Sequence, residues 1–156
     1  MKTRELQILW WDWLSTAERL LRGLKEQTAA LTLRDVERLE KIQPELDRLL
    51  AHMHTLDEEA VVSATSLAEK LGTEPRFRSI VEALDKPEAQ QLQTLASRVR
   101  AVSKNVQETL HRNRTLIENE LTYINGTLTL ISKAAVEDQK SYAKGGSTPT
   151  LVNQVA

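Results

Sequence analysis

Residues 92–131 read LQTLASRVRAVSKNVQETLHRNRTLIENELTYINGTLTLI. Apolar side chains recur at Leu92, Leu95, Val99, Val102, Val106, Leu110, Ile117, Leu121, Ile124, Leu128 and Ile131, and Asn113 takes one step of the same series. Steps of three and four residues bring these positions to one face of an α-helix. The steps alternate as in a coiled coil, with a stutter at Val106–Leu110. A helix from about Lys86 to Ala135 is on the order of 70 Å long at 1.5 Å per residue. A chain of 156 residues is about one domain and cannot bury that whole length, so part of the helix must project or meet a partner.

The stretch before this helix reads as its connection to an earlier one. Asp85-Lys86-Pro87-Glu88 is a start signal, with proline near the first helical position. Thr73 to Asp85, with Pro75, Phe77, Ile80, Val81 and Leu84, predicts a short connecting helix or turn. Gly72 after Lys70-Leu71 marks the end of a second long helix. That helix carries Val36, Leu39, Ile42, Leu46, Leu49, Met53, Leu56, Ala60, Ala64, Leu67 and Leu71, and Asp35 suits its N-cap. Pro44 interrupts its hydrogen bonding, which predicts a kink or two nearly collinear helices. Thr55-Leu56-Asp57-Glu58 matches a capping box, but the apolar stripe runs through it, so no new helix begins there.

A first helix, roughly Thr3 to Leu31, carries Leu6, Trp10, Trp13, Ala17, Leu20, Leu24 and Leu31. Trp10 and Trp13 lie on the core stripe. Trp11 points elsewhere, as the edge of a core or an interface anchor. Gly23 costs about 1 kcal/mol relative to Ala and reads as a tolerated glycine, with close helix approach as the alternative. The expected fold is all-α: an antiparallel, coiled-coil-like bundle of three long helices with a short connecting helix, the last helix extended. Residues 1–135 form the bundle domain. Residues 136–156, with Lys144-Gly145-Gly146-Ser147-Thr148-Pro149-Thr150, form a flexible C-terminal tail.

Composition agrees. Glycine (5), proline (4) and aromatics (6) are scarce, against sandwiches, barrels and dinucleotide folds. No run of about 18 apolar residues crosses a bilayer. The N-terminus lacks the features of a secretory signal, and the absence of cysteine is compatible with the cytoplasm. A net charge of −1 gives no general attraction to nucleic acid or anionic lipid. From Leu33 to Leu71, five basic and nine acidic residues give −4; from Lys86 to Ala134, seven basic and four acidic give +3. The second and last helices are therefore complementary, which sets orientation more than stability.

No constellation for chemistry emerges. His52 and His54, two apart on a helix, do not face each other, and His111 is remote, so solvated histidines are expected rather than a metal site. Asp57-Glu58-Glu59 and Glu118/Glu120 have no pocket that would make them an acid–base pair. Lys144-Gly145-Gly146-Ser147 lacks the strand and helix of a phosphate loop. Arg98, Arg100, Lys104, Arg112 and Arg114 lack interleaved aromatics, and complementarity to the second helix accounts for them better than nucleic acid does. Neither an enzyme nor a cofactor is expected.

What stands out is 113–128, where Asn113 interrupts the apolar seam and Asn125-Gly126 sits inside a helix. A polar layer that sets helix register is one reading; a groove for another chain's helix is the other. Asn113, Leu116, Ile117, Tyr123, Ile124 and Leu128, with Lys140-Ser141-Tyr142-Ala143-Lys144-Gly145-Gly146 and the final Leu151-Val152-Asn153-Gln154-Val155-Ala156, resemble the FlgN family of flagellar type III export chaperones. The acidic start around Arg34-Asp35-Val36-Glu37-Arg38-Leu39, the Leu-Gly end of the second helix and the linker helix agree; Pro44 and the tryptophan cluster depart from the family's pattern.

The resemblance implies a cytoplasmic chaperone that holds the C-terminal amphipathic region of hook–filament junction proteins, prevents their premature assembly and docks at the export gate's cytoplasmic domain, without nucleotide or catalysis. The expected partner-binding residues are Asn113, Ile117, Asn119, Tyr123, Ile124, Leu128, Leu151, Val152 and Val155. The resemblance makes Tyr123 the candidate for the export gate. Expected partners exclude nucleic acid and stable membrane insertion and allow a weak homodimer. The alternative is a self-associating helical-bundle adaptor or structural coiled-coil protein.

Overall fold

A computed structural model describes residues 1–142. Four helices follow one another: α1 (Arg4–Leu33), α2 (Val36–Leu71), α3 (Phe77–Ala83) and α4 (Lys86–Tyr142). The fold is the expected all-α arrangement of three long helices and a short connecting one. The last helix runs seven residues past the expected Ala135, to Tyr142. By packing, the described residues divide into two units, Met1–Asn113 and a second that begins at Arg114.

In the first unit, local chemistry sets each boundary. α1 ends with Arg34 in the left-handed region at φ 54°, its N–H donating to the Leu31 carbonyl and that of Asp35 to Ala30. α2 ends in the same way at Gly72, φ 68°, with bonds to Glu69 and Ala68. Asp35 caps α2 as expected, its carboxylate accepting from the Arg38 N–H at 3.1 Å. Asp85 does the same for α4, accepting from the Glu88 N–H at 2.9 Å.

Pro44 does not divide α2, which is one helix from Val36 to Leu71. One turn on, the Arg48 guanidinium donates to both Glu45 carboxylate oxygens, at 2.9 and 2.7 Å. This bond holds the exposed Glu45 carboxyl below its ordinary pKa.

α1 and α2 run antiparallel: Gly23 lies against Leu46, Gln27 bonds Gln43, and Leu6 shares a core cluster with Leu67 and Ala68. α4 returns parallel to α1, with Thr3 beside Glu88, Trp11 beside Arg98, and Leu24 and Gln27 beside Asn113. One core cluster holds Trp13, Leu14, Ala17, Leu20, Leu24, Leu46, Leu49, Met53, Leu56, Leu95 and Val106. The other gathers Leu6, Leu67, Ala68, Ile80 and Leu92, so α3 closes that end of the bundle through Ile80. Trp13 is in the core as expected. Trp10 is half-buried and packs against both clusters, with its ring centroid 6.2 Å from that of Phe77.

Gly23 is not merely tolerated. A Cβ there would lie 2.6 Å from Leu46 Cδ2. Leu46 is itself fully buried, so its side chain has little room to move away. The glycine is what lets α1 and α2 approach at that level.

The expected complementarity of α2 and α4 is not how the α4 cations are used where the structure shows their partners. Arg98 lies over the Trp11 ring of α1, and Lys104 pairs with Glu108 one turn along its own helix. Between long helices, the Arg38–Glu26 ion pair and the 3.8 Å approach of His52 Nε2 to Asp12 join α2 to α1.

Candidate functional site

The second unit is described by itself. From Arg114 to Tyr142 it is helix, and between 114 and 139 none of the described side chains is buried. Ile117, Leu121, Ile124, Leu128 and Ile131 are 39, 55, 44, 39 and 61% exposed. Their steps of four, three, four and three put all five on one face. The five therefore make one aligned apolar row on the helix surface, unlike isolated exposed apolar residues, which need no explanation.

Polar residues interrupt the row's surroundings without wetting the row itself. The hydroxyls of Thr122, Thr127 and Thr129 donate to the carbonyls of Glu118, Tyr123 and Asn125, at 2.9, 3.0 and 2.9 Å. Each hydroxyl is thereby satisfied by its own helix. Tyr123 is 55% exposed and immediately precedes Ile124 of the row in sequence. Among the described residues no atom lies within 4 Å of where a Cβ on Gly126 would stand, so no close contact there requires a glycine.

The sequence-predicted partner residues separate into three groups. Ile117, Asn119, Tyr123, Ile124 and Leu128 are exposed on the second unit. Asn113 is not on the surface: it is 2% exposed in the first unit. Its Nδ2 donates to the Leu24 carbonyl at 2.9 Å and to Gln27 Oε1 at 2.8 Å. Its Oδ1 accepts from the Thr28 hydroxyl at 2.5 Å. Gln27 in turn donates to Gln43 Oε1 of α2, and Gln43 to Asp47. Of the two readings open for Asn113, the polar layer is the one its surroundings match. Leu151, Val152 and Val155 lie outside the described residues.

Leu121, Leu130 and Ile131 are exposed on the same half of α4 and were not among the expected site residues. Leu121 and Ile131 were legible, since both sit on the stripe quoted above. A second feature missed by sequence lies in the first unit. Gln7, Trp11, Pro87, Gln90, Gln91, Thr94, Leu95 and Arg98 line a groove of about 460 Å³ between α1 and α4. Trp11 is 51% exposed, and the guanidinium carbon of Arg98 lies 5.4 Å from its ring centroid.

Nothing among the described residues assembles a reactive centre. No group of three or more His, Cys, Asp or Glu is placed to hold a metal ion. His52 Nε2 is 3.8 Å from Asp12, and His54 Nε2 is 3.2 Å from Glu58 on its own helix. No helix is long and apolar enough, over the described residues, to cross a membrane.

A protein-family model described as "FlgN protein" matches residues 1–150. No curated protein and no solved structure matches the chain.

Proposed function

The chain belongs to the FlgN family, a family of flagellar export chaperones rather than enzymes, and on that premise we propose that it is a cytoplasmic chaperone for hook–filament junction proteins. It binds their C-terminal amphipathic region through the Ile117–Ile131 row, prevents premature assembly and delivers them to the export gate. The observation that carries the reading is the aligned, exposed row itself. An amphipathic helix of a client lays its apolar face into such a surface at i, i+3, i+4 and i+7 anchors. Masking that face keeps the client from joining its own kind.

Leu151, Val152 and Val155 in the C-terminal tail would add apolar contacts to the bound client. Tyr123, exposed beside the row, is the candidate contact for the export gate.

The test is calorimetric titration of the full chain with the C-terminal segment of a hook–filament junction protein. Ile124→Ser with Leu128→Ser should weaken binding more than tenfold while leaving the helical circular dichroism signal in place. Unchanged affinity would remove the row from the mechanism. For the gate, Tyr123→Ala should reduce binding to the export gate's cytoplasmic domain and leave client affinity intact. Normal binding of both partners by a folded Tyr123→Ala chain would end that role.

A further inference from the structure

Trp11 stands half exposed in the first unit, on the groove of about 460 Å³ between α1 and α4. Tryptophan and arginine are the residues that most often anchor the centre of an interface. Here they occur together, with the guanidinium carbon of Arg98 5.4 Å from the Trp11 ring centroid. A guanidinium that rests on a ring keeps the N–H groups at its edge for a carboxylate, which accepts from two of them at once. Among the described residues no carboxylate pairs with Arg98.

Arg98 is the one charged side chain lining the groove among the described residues. The neighbouring acids are engaged or lie elsewhere. Asp12 approaches His52 of α2, and Glu5 lines a separate groove with Leu9 and Val62. Asp85 caps α4 through the Glu88 N–H, and Glu88 is buried against Thr3. Glu18 is seven residues past Trp11, about 10 Å along α1 at 1.5 Å per residue. Arg4 and Lys86, both exposed near the other end of the groove, add positive charge.

The rest of the lining suits a peptide backbone. Trp11, Leu95 and Pro87 supply apolar surface. The side-chain amides of Gln90 and Gln91 are exposed and make no hydrogen bond among the described residues. Each can donate and accept, which matches the open N–H and C=O groups of an extended segment. A helix keeps those groups bonded within itself. Gln91 and Arg98 are about 10 Å apart along α4, a span that about three extended residues cover.

Other occupants fit less well. Residues 140–156 contain two lysines and no Asp or Glu, so the chain's own C-terminal stretch brings no side-chain partner for Arg98. Two copies joined through this face, parallel or antiparallel, would set the groove against itself, with an arginine on each side and no acid in either lining. Another part of a second copy would dock head to tail and build rings or filaments. A nucleic acid backbone needs several cations in a row, and this lining has one.

We infer that this groove is a docking site for an extended acidic segment of a partner protein. An Asp or Glu of that segment accepts from the Arg98 guanidinium. An apolar side chain beside it covers Trp11 and Leu95, and its backbone bonds Gln90 and Gln91. The site shares no residue with the Ile117–Ile131 row and does not rest on the function proposed above.

The experiment titrates the full chain with a fluorescein-labelled, end-capped peptide of glycine, leucine and glutamate, read by anisotropy. A second peptide carries glutamine in place of every glutamate. The glutamate peptide should bind at least tenfold more tightly than the glutamine peptide. Arg98→Gln and Trp11→Ala should each weaken it at least fivefold, with helicity checked for both. Should either chain lose helicity, Gln90→Ala with Gln91→Ala takes its place and should weaken binding likewise. Arg112→Gln, which removes an α4 cation outside the groove, and Ile124→Ser with Leu128→Ser should leave the affinity unchanged. No binding of the glutamate peptide, equal binding of the two peptides, or unchanged affinity in a folded Arg98→Gln chain overturns the inference. An equal loss in the Arg112→Gln chain would show a diffuse charge effect, and a loss in the serine chain would assign the peptide to the row; either overturns it. Sedimentation showing an assembly of the chain alone that Arg98→Gln abolishes would give the groove to a second copy. Tighter Arg98-dependent binding of oligothymidylate than of the glutamate peptide would give it to nucleic acid. Both results overturn the inference as well.

Discussion

The side-chain amide of Asn113 on α4 donates to the backbone carbonyl of Leu24 on α1 at 2.9 Å, across 89 residues of chain. The same amide reaches Gln27, Gln27 reaches Gln43, and three helices are joined through one polar layer. A buried polar layer of this kind has good geometry in one register and leaves donors and acceptors unpaired in others. Asn113 is also the last residue of the first compact unit.

Truncating that layer should be costly because its partners stay behind. Asn113→Ala is expected to lower the unfolding free energy by about 2 kcal/mol, since it leaves buried Gln27 short of a partner. Gln27→Ala in the same background should add less than it does alone, because both residues belong to one network. Urea denaturation of the single and double variants measures this. Full additivity would show that the two residues act independently.

Gly23 and Leu46 form a second pair that a double substitution can probe. Gly23→Ala should gain about 1 kcal/mol of helix propensity but lose about 1–3 kcal/mol to overpacking against Leu46. The net expectation is destabilisation. Leu46→Ala makes room, so in that background Gly23→Ala should turn stabilising. The sign change is read from the unfolding midpoints of the four chains.

The tryptophans should differ. Trp13 is buried among α1, α2 and α4, and Trp13→Ala should cost about 3–5 kcal/mol. Trp10, half-buried, should cost less. Trp13 Nε1 is also buried without a hydrogen-bond partner among the described residues, so Trp13→Phe removes that unmet donor and should be much milder than Trp13→Ala. Thermal unfolding of the three variants ranks them.

Arg34 holds a left-handed conformation that glycine adopts without strain. Its backbone bonds match those at Gly72. Arg34→Gly should therefore raise stability by a few tenths to about 1 kcal/mol. A fall in melting temperature would mean that the arginine side chain contributes more than its backbone costs.

Sequence made the helices legible because the information needed was local. Stripe spacing, Asp35, Gly72 and Asp85 each act within a turn or two of themselves, and all four helices appear where they indicate. What stayed open or was missed required knowledge of the neighbour. Gly23 is explained only by Leu46, and Asn113 only by Leu24 and Gln27 on another helix. Arg34 ends α1 without the glycine that usually announces such an end. Pro44 was expected to kink α2 or divide it; it does not divide it, and Leu46 and Leu49 beyond it pack in the core. At the candidate site, Ile117, Ile124 and Leu128 were readable because period alone places them together, whereas the Trp11–Arg98 groove depends on a contact between residues 87 positions apart.

Hydrogen exchange of the full chain, alone and with the C-terminal segment of a hook–filament junction protein, would show where the client sits. It reports protection helix by helix without any substitution. Client binding should slow exchange most strongly at amides 117–131 of α4 and change α1 and α2 little. Unchanged exchange over 117–131 in a chain that demonstrably holds its client, with new protection in α1 or α2 instead, would contradict that placement.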